Sequence, residues 1–152
     1  MTAGSIKDRI ALEDLLVEYY HAVDKLKADE VVAAFSDDAF LDLSGFGLPV
    51  KRGMQSIMAY YEHMPANVSH TIHYVSNFGI ETFDGDTATL RAYIQAFGRM
   101  KDGNEVHGHS RCWMKGVRQN DGEWKVSELT FLPSMPLPGP LDEILGSGLI
   151  TE

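Results

Sequence analysis

A single cysteine, Cys112, stands among the 152 residues, so no disulfide forms within the chain and nothing asks for an oxidising compartment. Bases are also scarce. Thirteen Lys and Arg against 22 Asp and Glu leave a net charge of −9, which argues against a nucleic-acid partner, because phosphate affinity needs clustered cations. No apolar run approaches the ~18 residues of a membrane span, so no membrane partner is expected. The opening Met1-Thr2-Ala3-Gly4-Ser5-Ile6-Lys7-Asp8-Arg9 has no basic segment followed by an apolar stretch. No secretory leader is expected from it, and the cytoplasm is the default location. A Gly-x-Ser-x-Gly elbow and a glycine-rich phosphate loop are missing too, and no cofactor is expected. There is no internal repeat and no low-complexity segment.

What is present fits one globular domain spanning 1–152, with a core over about 6–131 and a Pro-rich tail over 133–152. At this length a chain buries roughly two-thirds of its unfolded surface, and 44% hydrophobic residues suffice for that core. Ser5 is placed to cap a helix in which Ile6, Ile10, Leu15, Leu16, Tyr19, Tyr20 and Val23 recur at helical spacing to about Leu26. Asp29 is expected to cap a short second helix through Phe35. Ala39–Leu43 reads as a strand, and Arg52–His63 as a third helix stopped by Pro65. Strands follow over 69–83, 87–100, 105–117 and 123–131. Asp84-Gly85-Asp86, Lys101-Asp102-Gly103-Asn104 and Gln119-Asn120-Asp121-Gly122 separate them, each with hairpin-turn chemistry. Helices first and a long antiparallel meander after them give an α+β fold, with a curved, mainly antiparallel sheet wrapped around the N-terminal helices and enclosing one apolar pocket. Four of the six prolines, at 133, 136, 138 and 140, lie in the tail. Its apolar content suggests a helical turn over 141–145 and a lid or subunit contact rather than a solvated segment.

Two short segments concentrate groups able to move protons: Tyr19-Tyr20-His21-Ala22-Val23-Asp24-Lys25 on the first helix and His70-Thr71-Ile72-His73-Tyr74 on a strand. Asp24 follows Tyr20 by one helical turn and Leu16 by two, at the edge of the apolar face. That spacing fits a surface acid as well as a functional carboxylate. His73 shares a strand face with Thr71, Val75 and Asn77, where it is either a core histidine or, beside a carboxylate, a general base.

His107 and His109 point the same way on their strand, but no third ligand at diagnostic spacing accompanies them, so no metal is expected. By alternation Ser110 faces the other way, with Gly108, Cys112 and Met114. Cys112 reads first as a small buried apolar group. Met54, Met58, Met64, Phe78, Phe83, Phe97, Met100 and Met114 supply adaptable apolar surface, most of it for the core. The candidates to line a pocket are Met58, Phe97, Tyr20, Ser110 and Cys112.

With Val23-Asp24-Lys25, Ser36-Asp37-Asp38-Ala39-Phe40 (read as a turn), Thr71-Ile72-His73-Tyr74 and Asp121-Gly122-Glu123-Trp124-Lys125, the chain resembles the SnoaL-like families over roughly Ile6–Phe131. These share the cone-shaped fold of nuclear transport factor two. Within them it is similar to lindane dehydrochlorinase, scytalone dehydratase and the bacterial bile-acid dehydratase. The resemblance implies that Asp24 and His73 pair as the base that takes a proton from substrate carbon. It places Tyr19 where the bile-acid dehydratase has a tyrosine, able to hydrogen-bond a leaving hydroxyl or an enolate oxygen. Tyr19 also occupies the position of the dehydrochlorinase lysine, and no arginine stands on the last strand, so chloride loss is not favoured. Scytalone dehydratase carries tyrosines where Val23 and Leu43 stand here, so scytalone is not the expected substrate.

The implied activity is a cofactor-independent, dehydratase-like lyase acting on a small, mostly apolar cyclic substrate. The alternatives are a ketosteroid-isomerase-like proton shuttle and a non-catalytic ligand-binding or oligomerisation module. A homo-oligomer is implied as well, with a trimer favoured and a dimer possible.

Overall fold

The computed structural model describes residues 4–135. Three helices, α1 (Ile6–Asp24), α2 (Ala28–Val32) and α3 (Gly53–His63), accompany six strands: β1 (Phe35–Asp42), β2 (Lys51–Arg52), β3 (Val68–Phe83), β4 (Thr87–Met100), β5 (Glu105–Arg118) and β6 (Trp124–Pro133). They form one sheet in the order β2-β1-β6-β5-β4-β3. Only β1 and β6 run parallel; the other neighbours are antiparallel. The expected α+β architecture is the observed one. The helical turn suggested at 141–145, and most of the tail for which a lid or subunit contact was suggested, lie outside the described residues.

Local chemistry sets the boundaries. The Ser5 side chain accepts from the Asp8 amide at 3.2 Å, and α1 starts there. At the other end Leu26 adopts φ +57°, a left-handed conformation that stops the helix. Asp24 thereby becomes its last residue. Two expectations need correction. Lys27, not Asp29, precedes α2, and Asp29 sits in its first turn. The segment Ser36–Phe40 is not a turn but part of β1, whose pairing to β6 shifts register between Phe35 and Phe40.

The core lies between the helices and the inner face of the sheet. Leu12 and Leu16 of α1 are fully buried, as are Leu90, Met114, Val126 and Leu129 on the strands. α1 approaches β5 so closely that a Cβ on Gly116 would lie 2.7 Å from Leu12 Cδ2. Register shifts between Ser76 and Gly79, with Asn77 at φ +57°, interrupt β3. Such irregularities bend a strand and increase its twist.

Arg118 ties the start of α1 to the sheet. Its Nη2 donates to Asp8 at 2.7 Å, its Nε donates to the Gly85 carbonyl at 3.0 Å, and its guanidinium lies 4.3 Å over the Trp124 ring. The outer face of the sheet carries large apolar groups in the open: Ile72, Tyr74 and Tyr93 keep 46%, 55% and 47% of their surface exposed. No described helix is long and apolar enough to cross a membrane.

Candidate active site

A cavity of about 180 Å³ opens between α1, α3 and the inner face of β3–β5. Its wall is formed by alternate residues of the strands, including Thr71 and His73 on β3, Ile94, Ala96, Gly98 and Met100 on β4, and Gly108 and Ser110 on β5. Tyr19, Tyr20 and Val23 come from α1, and Tyr60 and Tyr61 from α3. Among the described residues, none that lines it is Asp, Glu, Lys or Arg.

Asp24 and His73 meet at the edge of this cavity. His73 Nδ1 lies 2.6 Å from Asp24 Oδ1, and the His73 backbone N–H donates to Asp24 Oδ2 at 3.0 Å. A carboxylate only accepts, so Nδ1 carries the proton and Nε2 is left with a free lone pair. Nε2 has no hydrogen-bond partner among the described residues, and His73 lines the cavity. Both side chains are mostly buried. The Tyr20 ring lies 4.5 Å from the imidazole at 31°, limiting its freedom to turn.

The position of Asp24 is itself informative. As the last residue of α1 it sets a carboxylate against the negative end of the helix dipole, where cations are favoured. Breaking that local preference marks a position held for another reason.

At the helical side of the cavity the Tyr19 and Tyr61 hydroxyls share a hydrogen bond. Burial pushes both phenols well above their ordinary ionisation range, and the bond from Tyr61 partly offsets that for Tyr19. Tyr20 is raised by burial, then by its charged and polar neighbours, and Tyr60 by burial alone. All four phenols therefore remain neutral and able to donate.

Of the sequence candidates, the cavity gathers Asp24 with His73, Tyr19, Tyr20 and Ser110. Three do not line it. Phe97 sits on the outer face, packed on Tyr74 and His107, because β4 turns its even-numbered residues inward. Cys112 does face inward but is fully buried within the core cluster, its thiol pushed up by desolvation. Met58 packs against the core, whereas α3 reaches the cavity through Tyr60 and Tyr61. His107 is exposed, and His109 accepts from the Gln95 amide at 3.2 Å across the outer face. No cluster of three or more metal-binding side chains occurs among the described residues.

Sequence reasoning missed Tyr61 and Tyr60. Their signal was a second Tyr-Tyr doublet like Tyr19-Tyr20. Val23 and Leu43 both line the cavity and keep that part of it apolar.

The SnoaL-like domain profile matches residues 4–130. A proposed aromatic ring hydroxylase from Novosphingobium aromaticivorans is 40% identical, with a TM-score of 0.88 over 92% of this chain and 98% of that one. A proposed scytalone dehydratase from the same organism has a TM-score of 0.79 over 89% of each chain, at 20% identity, a likeness of fold. Hexachlorocyclohexane dehydrochlorinase 1 of Sphingobium indicum is 24% identical over 125 residues, 82% of this chain and 80% of its own length. The uncharacterised protein Rv2910c of Mycobacterium tuberculosis is 29% identical over 91 residues, 60% of each chain.

Proposed function

The chain belongs to the SnoaL-like domain family, and we propose that it is a cofactor-independent lyase removing water from a small, mostly apolar cyclic substrate. The observation carrying this reading is the 2.6 Å contact between Asp24 and His73 beside an apolar cavity. His73 Nε2 takes a proton from carbon, and Asp24 fixes the tautomer and balances the imidazolium. The C–H electron pair becomes the new C=C bond as the C–O bond breaks. Tyr19 hydrogen-bonds the departing oxygen or, in a ketone, the enolate oxygen beside the reacting carbon, and the proton taken by His73 leaves with the hydroxide as water. General acid–base groups of this kind each contribute about 10²–10⁴-fold.

Two details favour water loss over the other reactions of similar proteins. The dehydrochlorinase lysine is replaced by Tyr19, and the end of β6, Ser127–Phe131, holds no arginine to receive chloride. An isomerase using a strand carboxylate as its base is disfavoured, because no strand acid lines the cavity among the described residues. We propose further that copies of the chain associate through the exposed outer face of the sheet, as a trimer by analogy with its relatives.

The test is turnover on a panel of cyclic β-hydroxy ketones, followed by NMR. The wild type is expected to give the unsaturated product, and His73→Ala and Asp24→Asn to lose it while keeping wild-type circular dichroism. Ligand binding with no turnover, together with indifference to His73→Ala, would establish a binding module instead.

A further inference from the structure

The cavity is lined by an imidazole, His73 on the sheet, and by the hydrogen-bonded Tyr19–Tyr61 pair on the helices. Each phenol carries one proton. Sharing one bond uses one of them, so the pair keeps a single O–H with no partner among the described residues. With Tyr61 donating to Tyr19, the free donor is the Tyr19 O–H, and the bond behind it strengthens its pull.

Size constrains the ligand as well. A cavity of about 180 Å³ is small beside the roughly 300–1,000 Å³ of common ligand pockets, and close to the ~150 Å³ that holds a benzene ring. Among the described residues the wall holds no Asp, Glu, Lys or Arg, and Asp24 at its edge is bonded to His73; a charged ligand group without a partner there would be costly to bury.

Building on the proton-abstraction reading, we infer that the substrate is an uncharged single-ring compound presenting one carbonyl or hydroxyl oxygen to Tyr19, and that Tyr61 is the positioning residue behind that donor. For a ketone the first step balances as follows. The C–H bond breaks toward His73 Nε2, and its electron pair moves through the forming C=C bond onto the carbonyl oxygen. The resulting enolate oxygen accepts from Tyr19. Hydroxide loss from the neighbouring carbon, with return of the proton, then completes the elimination. Burial keeps both phenols protonated at neutral pH, as a donor chain requires.

A probe that mimics the enolate tests this without turnover. 4-Nitrophenol is a single ring whose oxygen becomes negative on ionisation, and its visible band reports that charge. The wild type is expected to bind it at least tenfold more tightly than 4-nitro-1-naphthol, the fused two-ring analogue. Tyr19→Phe is expected to weaken binding about tenfold or more, and Tyr61→Phe about threefold to tenfold. Both should lower the phenolate fraction of bound probe at fixed pH, a spectroscopic change that mere loosening of the fold does not produce. Failure of the wild type to bind the probe overturns the inference. So does equal or tighter binding of the naphthol, or Phe variants with wild-type affinity and an unchanged band. None of these outcomes touches the His73→Ala and Asp24→Asn turnover test, so the two readings fail separately.

Discussion

Asp24 holds His73 with both of its oxygens, Oδ1 on the ring nitrogen at 2.6 Å and Oδ2 on the backbone N–H at 3.0 Å. The grip defines the rotation of the imidazole and its distance from the helix end together. Asp24→Asn keeps a carbonyl acceptor for only one of these bonds and turns an amide N–H toward the other donor. It is expected to cost turnover about 10³–10⁴-fold, with much less effect on KM. Steady-state kinetics on any substrate found in the hydroxy-ketone panel would check the split; loss of binding with kcat intact would contradict it.

Four of the six tyrosines, Tyr19, Tyr20, Tyr60 and Tyr61, have phenols raised by burial. Their folded ionisation lies above the unfolded value. The stability they contribute is therefore complete below about pH 10 and is lost as pH rises toward the folded values. Ultraviolet titration is expected to show four phenols ionising only as the tertiary near-ultraviolet dichroism collapses. Ionisation of these four before unfolding would count against the buried placement.

The Arg118 latch predicts a stability defect away from the cavity. Arg118→Ala removes a hydrogen bond to a carboxylate, another to a backbone carbonyl and a ring contact. A loss of about 1–3 kcal/mol is expected in urea denaturation at neutral pH, with turnover unchanged. Bonds from Arg118 and then Ser5 hold the Asp8 carboxyl below its ordinary range. That part of the stability is present above about pH 4 and fades as pH falls through the lowered folded value. The gap between wild type and variant should accordingly narrow in acid.

Association through the outer face predicts that Ile72→Lys combined with Tyr74→Glu lowers the mass seen by light scattering to that of one chain. A wild-type protein already running as one chain would end that proposal.

Much of the fold was legible because α1, α3 and the hairpin turns follow simple periodicities and turn chemistry. The dyad was legible only by resemblance, since Asp24 alone reads equally well as a surface acid. Phe97 shows where the residues mislead. α1 presses against the sheet, so the inner face of β4 is built partly from small groups, Ala88, Ala92, Ala96 and Gly98, while Tyr93 and Phe97 point outward. The usual rule that bulky apolar residues lie inside is inverted there. Tyr61 was hidden for the opposite reason: it lies on the same apolar stripe of α3 as Ile57, and a stripe does not reveal which of its members borders a cavity.

The second bond from Asp24 has a bearing on folding hygiene. β3 ends the sheet, and the His73 N–H points away from β4 into the open side of that strand. An unpaired strand border is a template for pairing with other chains. Asp24 blocks it at one point with a charged acceptor. The residue that orients the base thus also guards the border, and replacing its carboxylate exposes a place where misassembly can begin.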